Sequence, residues 1–402
     1  MSSRRSRFAS NVLVPLIIAF VTYGVFEAVV TVLYLKDVLE PPSSVWLFED
    51  SGRTVRFDPI LGYRLLPVPS RIARITKGTV EYVGTLKGNN QGFPDRDDFA
   101  PQRASGETGP RFAVFGDSYT AAPFLEVNWP DRVEELTRGM QGPPRLLNFG
   151  IDGGGLANWW SVFTRLVDEE GYEIDGVIFA VIPGNLWRGF TVADHENQTR
   201  PMFGRVPTWD PSTFPHTLAE ARKYLQPETQ NASIVSTAEF DRGIKLEWRP
   251  RSDKPARPYF ASKVYQALRR GLSGEPKPPP APRAFDSFDV YQERMIEDMA
   301  RAIHKKGILA IVIHVPSREE LLRGRSDALP PVDTRFFAQL LGAGFIDGGE
   351  AFAGSSDDEI RSMWFPYDAH WAQKGSDRFA EYMAGRLRRA LSRPDQVPPP
   401  VR

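Results

Sequence analysis

Three short segments, far apart in a chain of 402 residues, carry the side chains from which chemistry can be built. Gly116-Asp117-Ser118 places a hydroxyl at a turn directly after the apolar run RFAVF (111–115). Tyr367-Asp368-Ala369-His370-Trp371 places a carboxylate and an imidazole two residues apart. In an extended stretch such residues point to the same side, so Asp368 can reach one ring nitrogen of His370 and leave the other to take a serine proton. Between these segments lie NFGIDGGG (148–155), with glycines at 150, 153, 154 and 155, and the loop Pro183-Gly184-Asn185. Glycine amides can approach a developing oxyanion with no side chain in the way, and an asparagine amide can donate to the same charge. Each piece has a plainer reading, as a helix N-cap serine, a tight turn or a turn asparagine. Only their combination points to acyl chemistry.

Composition narrows the alternatives. The chain has no cysteine, which excludes disulfides, thiolate metal sites and thiol nucleophiles together. Lysine plus arginine and aspartate plus glutamate both number 50, so no overall field draws in nucleic acid. Histidine-dependent chemistry must choose among His195, His216, His304, His314 and His370. His314, in IVIHVP, reads first as a core histidine, although its strand end could line a cleft. Trp159 and Trp160 read as core before they read as a sugar-stacking pair. Asp194, His195 and Glu196 cluster like metal ligands but lack further histidines at ligand spacing, so no cofactor or metal is expected.

The elements that must position these residues follow from the apolar pattern. RFAVF, RLLNF from 145, DGVIFAVIP from 175, ILAIVIHVP and a short FID segment read as buried strands. They alternate with helices, among them ANWWSVFTRLVDE, one near 287–306, two near 318 and 335, and one after Trp371. That rhythm predicts an α/β fold with a parallel sheet and helices on both faces, whose ligands sit beyond the carboxyl ends of the strands. Residues 36–110 read as a β-rich lead-in with pieces such as TVRFDP and GTVEYVGTL. Residues from about 190 to 285 interrupt the rhythm as an insertion, with a possible strand at IKLEW, a basic helix at 258–271 and the linker EPKPPPAPR; 393–402 is a proline-rich tail.

Residues 11–35 form an apolar run with one charge, Glu27, long enough to cross a hydrocarbon core as a helix. Arg4, Arg5 and Arg7 precede it, which predicts a cytoplasmic N-terminus (1–10) and export of everything after residue 36. The run is too long for a cleaved signal and ends without a small-x-small site, so an uncleaved single-pass anchor is expected. The basic helix reads as a solvated face, or as a contact for lipid headgroups should it fold back to the membrane.

Taken together, the GDS serine, a glycine, an asparagine and a C-terminal aspartate with histidine, in that order over residues 111–390, resemble the GDSL/SGNH hydrolase superfamily. The resemblance implies a flavodoxin-like three-layer α/β/α sandwich over 111–392. It implies Ser118 as nucleophile and His370 as base, with Asp368 orienting it; Gly153 and Asn185 would join the Ser118 amide in an oxyanion hole. FDPILGYRLLP (58–67 without its first residue) and NNQGF (89–93) resemble the lead-in of membrane-anchored bacterial members. The third block departs from the usual G-x-N-D, reading Gly184-Asn185-Leu186. The last block is D-x-H rather than D-x-x-H, as in the membrane-associated polysaccharide acetylation proteins that the chain is also similar to. The G-x-S-x-G elbow of α/β-hydrolases is absent around Ser118.

The expectation is therefore serine-dependent ester chemistry on an exported cell-surface glycan or lipid ester, most simply removal of an O-acetyl group. Alternatives are O-acetyl transfer to a surface polysaccharide and, in another class, an anchored glycan-binding or assembly protein without catalysis.

Overall fold

A computed structural model describes residues 2–36, 38–39, 44–49, 54–182, 184–195, 202–227, 232–245, 258–273, 288–323 and 332–392. The chain divides into two units, Met1–Ser44 with Pro250–Arg283, and Val45–Arg249 with Ala284–Arg402.

In the first unit a single helix runs Ser2–Leu35, and its segment Leu13–Leu35 is long and apolar enough to cross a membrane. A second helix, Tyr259–Ser273, occupies the place of the expected basic helix. Its first turn has orphan backbone N–H groups, as every helix start does. Glu27, the lone charge of the apolar run, accepts from the amides of Phe260 at 2.8 Å and Ala261 at 3.1 Å, and Thr31 Oγ1 accepts from Tyr259 N at 3.1 Å. Phe26 and Phe260 pack edge to face at 5.3 Å between ring centres.

The second unit opens with β1 (Ser44–Glu49), β2 (Val55–Asp58), β3 (Gly62–Leu65), β4 (Ser70–Thr76) and β5 (Thr79–Leu86). β2 and β3 are an antiparallel hairpin whose turn is held by Asp58, accepting from the amides of Ile60 and Leu61. β4 and β5 pair antiparallel through Lys77-Gly78, both at positive φ as a two-residue hairpin turn requires. The α/β part follows with β6 (Arg111–Phe115), β7 (Arg145–Asn148) and β8 (Gly176–Val181). After these come β9 (Thr191–Asp194), β10 (Met202–Arg205), β11 (Gln226–Pro227) and β12 (Ala232–Val235), then β13 (Leu309–His314) and β14 (Gly344–Asp347).

Five of these strands form a parallel sheet in the order β14-β13-β8-β6-β7. Alternation along each strand fills two cores. Ala113, Phe115, Val177, Phe179 and Val312 face helices Leu156–Val162, Val290–Lys306 and Val332–Leu341 on one side. Phe112, Val114, Ile178, Ala180 and Ile313 face helices Trp129–Thr137 and Gln373–Ser392 on the other. Strands buried on both faces explain why each reads as an unbroken apolar run. The crossover from β6 to β7 lies on one face and that from β7 to β8 on the other, so the chain reverses direction between β6 and β8. Such a switch point opens a crevice at the carboxyl ends of those two strands.

The region expected as an insertion contributes a three-stranded sheet, β11-β10-β9, and places β12 beside β1, extending the lead-in sheet to the order β12-β1-β4-β5. The strand expected at IKLEW is not found where it should begin: Ile244 closes the helix Thr237–Ile244, started by a reciprocal cap between Ser236 and Glu239. Residues 246–248 of IKLEW, the linker EPKPPPAPR and the tail lie outside the described residues.

Candidate active site

β6 delivers Gly116-Asp117-Ser118 to the crevice. Ser118 begins a one-turn helix, Ser118–Ala121, capped by the Asp117 carboxylate, which accepts from Tyr119 N at 3.1 Å. The serine is therefore at a helix start, as its plainer reading has it, yet the cap is its neighbour and the hydroxyl points elsewhere. Ser118 Oγ lies 2.7 Å from His370 Nε2, and His370 Nδ1 lies 2.6 Å from Asp368 Oδ1. With Nδ1–H donating to the carboxylate, Nε2 is left as the acceptor for the serine proton.

Asp368 Oδ1 also accepts from the backbone N–H of His370 at 3.1 Å, which fixes the D-x-H segment as a tight bracket. Tyr119, next to the serine, donates its hydroxyl to Ala369 O at 2.5 Å, and the Phe124 ring centre is 4.5 Å from that of His370. Burial would push the Asp368 carboxyl up, but the hydrogen bond from His370 and the charges of His370 and Arg74 hold it down, at about 2. Burial would lower the His370 imidazole, but the hydrogen bond and charge of Asp368, followed by the charges of Asp152 and Asp117, raise it overall.

Asn185 sits at the carboxyl end of β8, fully buried. Its Oδ1 accepts from Ile182 N at 2.7 Å and its Nδ2 donates to Asp117 Oδ2 at 3.0 Å, where Arg188 Nη1 also donates at 2.8 Å. One amide hydrogen of Asn185 is thus spent on the aspartate beside the serine. Leu186, which takes the place of an acid in the third block, is buried in the core, and its carbonyl accepts from Gln292 at 2.6 Å. The glycine loop closes the other side. Gly153 has φ +71, and a Cβ there would meet only Thr191 Cγ2 at 3.7 Å, so conformation rather than crowding calls for glycine. Gly155 is different: a Cβ would come within 2.2 Å of Asn185 O.

Trp159 is core, as expected, and its indole N–H donates to Gly116 O at 3.1 Å, pinning the turn before the serine. Trp160 packs against Phe214. His314 is buried at the end of β13, 3.8 Å from the Glu320 carboxylate, and does not line the cavity beside His370. Asp194 and His195 serve as struts to the lead-in: Asp194 accepts from Phe57 N, and His195 Nδ1 lies 3.2 Å from Thr54 N. Glu196 lies outside the described residues.

Residues that sequence reasoning missed come from the lead-in sheet. Arg74 on β4 is ion-paired with Asp368 Oδ2 and lies 3.2 Å from Glu81 Oε2 on β5. Glu81 Oε1 accepts from the amides of Tyr367 at 2.8 Å and Asp368 at 3.0 Å, while Thr76 donates to Oε2 at 2.6 Å. A cavity of about 480 Å³ opens beside His370, between this sheet and the Gly153 loop.

No family model and no curated protein match the chain. A solved protein from Parabacteroides merdae described as a GDSL-like lipase superposes with a TM-score of 0.35 at 10% identity, covering 70% of this chain and 97% of its own. A solved Bacillus subtilis protein superposes with a TM-score of 0.37 at 10% identity, covering 87% and 75% respectively. What the site does is therefore read from its own residues.

Proposed function

We propose that this chain is a serine-dependent ester hydrolase of the SGNH type, held at a membrane by its N-terminal helix, with its reactive site outside the cytoplasm. The observation that carries the reading is the continuous hydrogen-bonded chain from Ser118 Oγ through His370 to Asp368. In this reading Ser118 Oγ attacks the ester carbonyl while His370 Nε2 takes its proton. The ester C–O bond then breaks, and His370 returns the proton to the leaving alcohol. Water, deprotonated by the same nitrogen, attacks the acyl-serine; the acid leaves and the serine is restored. The Ser118 amide, Gly153 and the second hydrogen of Asn185 are the donors for the oxyanion. An acceptor hydroxyl entering in place of water turns the same intermediate into acyl transfer.

Export rests on the arginines before the apolar helix. A reporter fused after residue 402 should be active only outside the cytoplasm; activity inside removes cell-surface substrates from consideration. The chemistry is tested by a small fluorophosphonate on the full chain, which should label Ser118 and fail on Ser118→Ala and His370→Ala. An unlabelled parent chain would instead favour a binding or assembly protein that uses the crevice without an activated serine.

A further inference from the structure

The cavity beside His370 has one polar edge and one apolar wall. Its polar edge is the reacting side: His370, with Asp152 and Gly153 of the glycine loop, Thr191 on β9 and Arg205 on β10. Burial pushes the Asp152 carboxyl up from its ordinary value, against the charges of His370 and Arg188. The opposite wall belongs to the lead-in and its neighbour: Trp46, Phe48, Ile72, Tyr82, Leu86 and Phe124. These six come from β1, β4 and β5 and from the loop after the serine helix, so the wall is built by a sheet outside the parallel core. Aromatic and aliphatic side chains make a surface that stabilises apolar groups and offers a glycan few hydrogen bonds.

An ester whose carbonyl reaches Ser118 Oγ, with its oxyanion toward Gly153, has two substituents to place. The cavity borders both His370 and Gly153, so one substituent enters it. An acetyl methyl would leave nearly all of about 480 Å³ empty of substrate. Close packing, on which affinity for an apolar ligand depends, would be absent.

Resting on the assignment of Ser118 as nucleophile, we infer that this cavity is an acyl pocket, and that the preferred substrates are esters of unbranched aliphatic acids well beyond acetyl in length. The lead-in sheet sets that length. Trp46 and Phe48 on β1 and Ile72 on β4 face the chain, while Phe124 at 4.5 Å from the His370 ring marks its beginning. This departs from the expectation of an O-acetyl ester, which came from resemblance and from no contact in the site.

The test is a series of p-nitrophenyl esters, from acetyl through butanoyl, hexanoyl and octanoyl to decanoyl, with the full chain in lipid nanodiscs. Each methylene moved from water into an apolar wall should raise kcat/KM about fourfold until the cavity is filled, then no further. Ile72→Trp, which fills the cavity, should cut the octanoyl-to-acetyl ratio of kcat/KM at least about tenfold. Phe48→Ala, which enlarges it, should shift the optimum to longer acids, so a variant that folds poorly in one direction is checked by the other. A series flat or falling from acetyl, with fluorophosphonate labelling of Ser118 intact, overturns the acyl pocket and leaves the serine hydrolase standing. A chain that neither labels nor cleaves any ester overturns both.

Discussion

The guanidinium of Arg74, on β4 of the lead-in sheet, is ion-paired with the outer carboxylate oxygen of Asp368, whose inner oxygen holds His370. Glu81 completes the brace by accepting the two amides that lead into Asp368 and by lying against Arg74. The pair is well shielded, the Arg74 side chain being 17% exposed and that of Asp368 4%. A shielded pair loses more when one partner is removed than a surface pair does, because the other charge is left uncompensated.

Arg74→Gln should therefore lower kcat by about tenfold or more with little change in KM, as loss of an outer orienting partner does at metal sites. It should also move the pH profile. Without the cation, the Asp368 charge acts undiminished on His370 and stabilises the imidazolium, so the acid limb shifts to higher pH. Arg74→Lys should recover part of both effects. A fall in kcat with an unmoved acid limb would mean that Arg74 serves folding alone.

The parent pH profile has its own sign. Ser118 can lose its proton only to neutral His370, so activity is low while the imidazole is charged and rises as it deprotonates. Its folded value is raised above 6.5, the net result of Asp368 outweighing burial. Half-maximal kcat/KM for a neutral ester should accordingly lie above that value. Asp368→Asn removes the largest of the influences that raise it, leaving Asp152 and Asp117, so the limb should move down while turnover falls less than in His370→Ala. A limb at or below 6.5 in the parent would contradict the buried Asp368–His370 pair.

Asn185 separates two uses of one amide. One of its hydrogens is on Asp117, which is also held by Arg188. If the other meets the oxyanion, Asn185→Ala should lower kcat by about a hundredfold or more with KM nearly constant, the pattern of a donor used only in the transition state. If Asn185 only steadies Asp117 and the turn before Ser118, Arg188→Ala should mimic it. Steady-state kinetics of the two variants tell these apart.

How much of this was legible follows from what pattern can encode. Strands β6, β8 and β13 were readable because burial on both faces leaves unbroken apolar runs, and Ser118, Asp368 and His370 because the D-x-H spacing carries its own geometry. Arg74 and Glu81 were not. In SRIARIT and TVEYVGTL a buried charge sits at the same alternating positions as a solvated one, and its partner is nearly three hundred residues away. The cavity wall was hidden for the same reason, since Trp46, Ile72 and Tyr82 signal only strands with an apolar face. At the start of IKLEW the alternation looks like a strand, whereas the Ser236 cap upstream commits the chain to a helix that reaches Ile244, with Lys245 as its cap.

A final prediction concerns stability away from the serine. Asp131 stands in the first turn of helix Trp129–Thr137, near Asp95 and Glu134, with Arg96 close by and Arg145 paired to Glu134. Burial, then the charges of Asp95 and Glu134, push its carboxyl above the ordinary aspartate value. A carboxyl that binds its proton more tightly folded than unfolded stabilises the fold at low pH. That contribution is lost as pH rises from the unfolded value, near 3.8, through the raised folded one. Asp131→Asn keeps an acceptor for Asn128 Nδ2, which donates at 2.8 Å, and removes the charge. The variant should match the parent at pH 4 and unfold at a higher temperature at pH 8, the gap widening between them. Thermal unfolding of both chains across that range decides it, and a variant less stable at pH 8 would show that the cations, not the neighbouring carboxylates, govern Asp131.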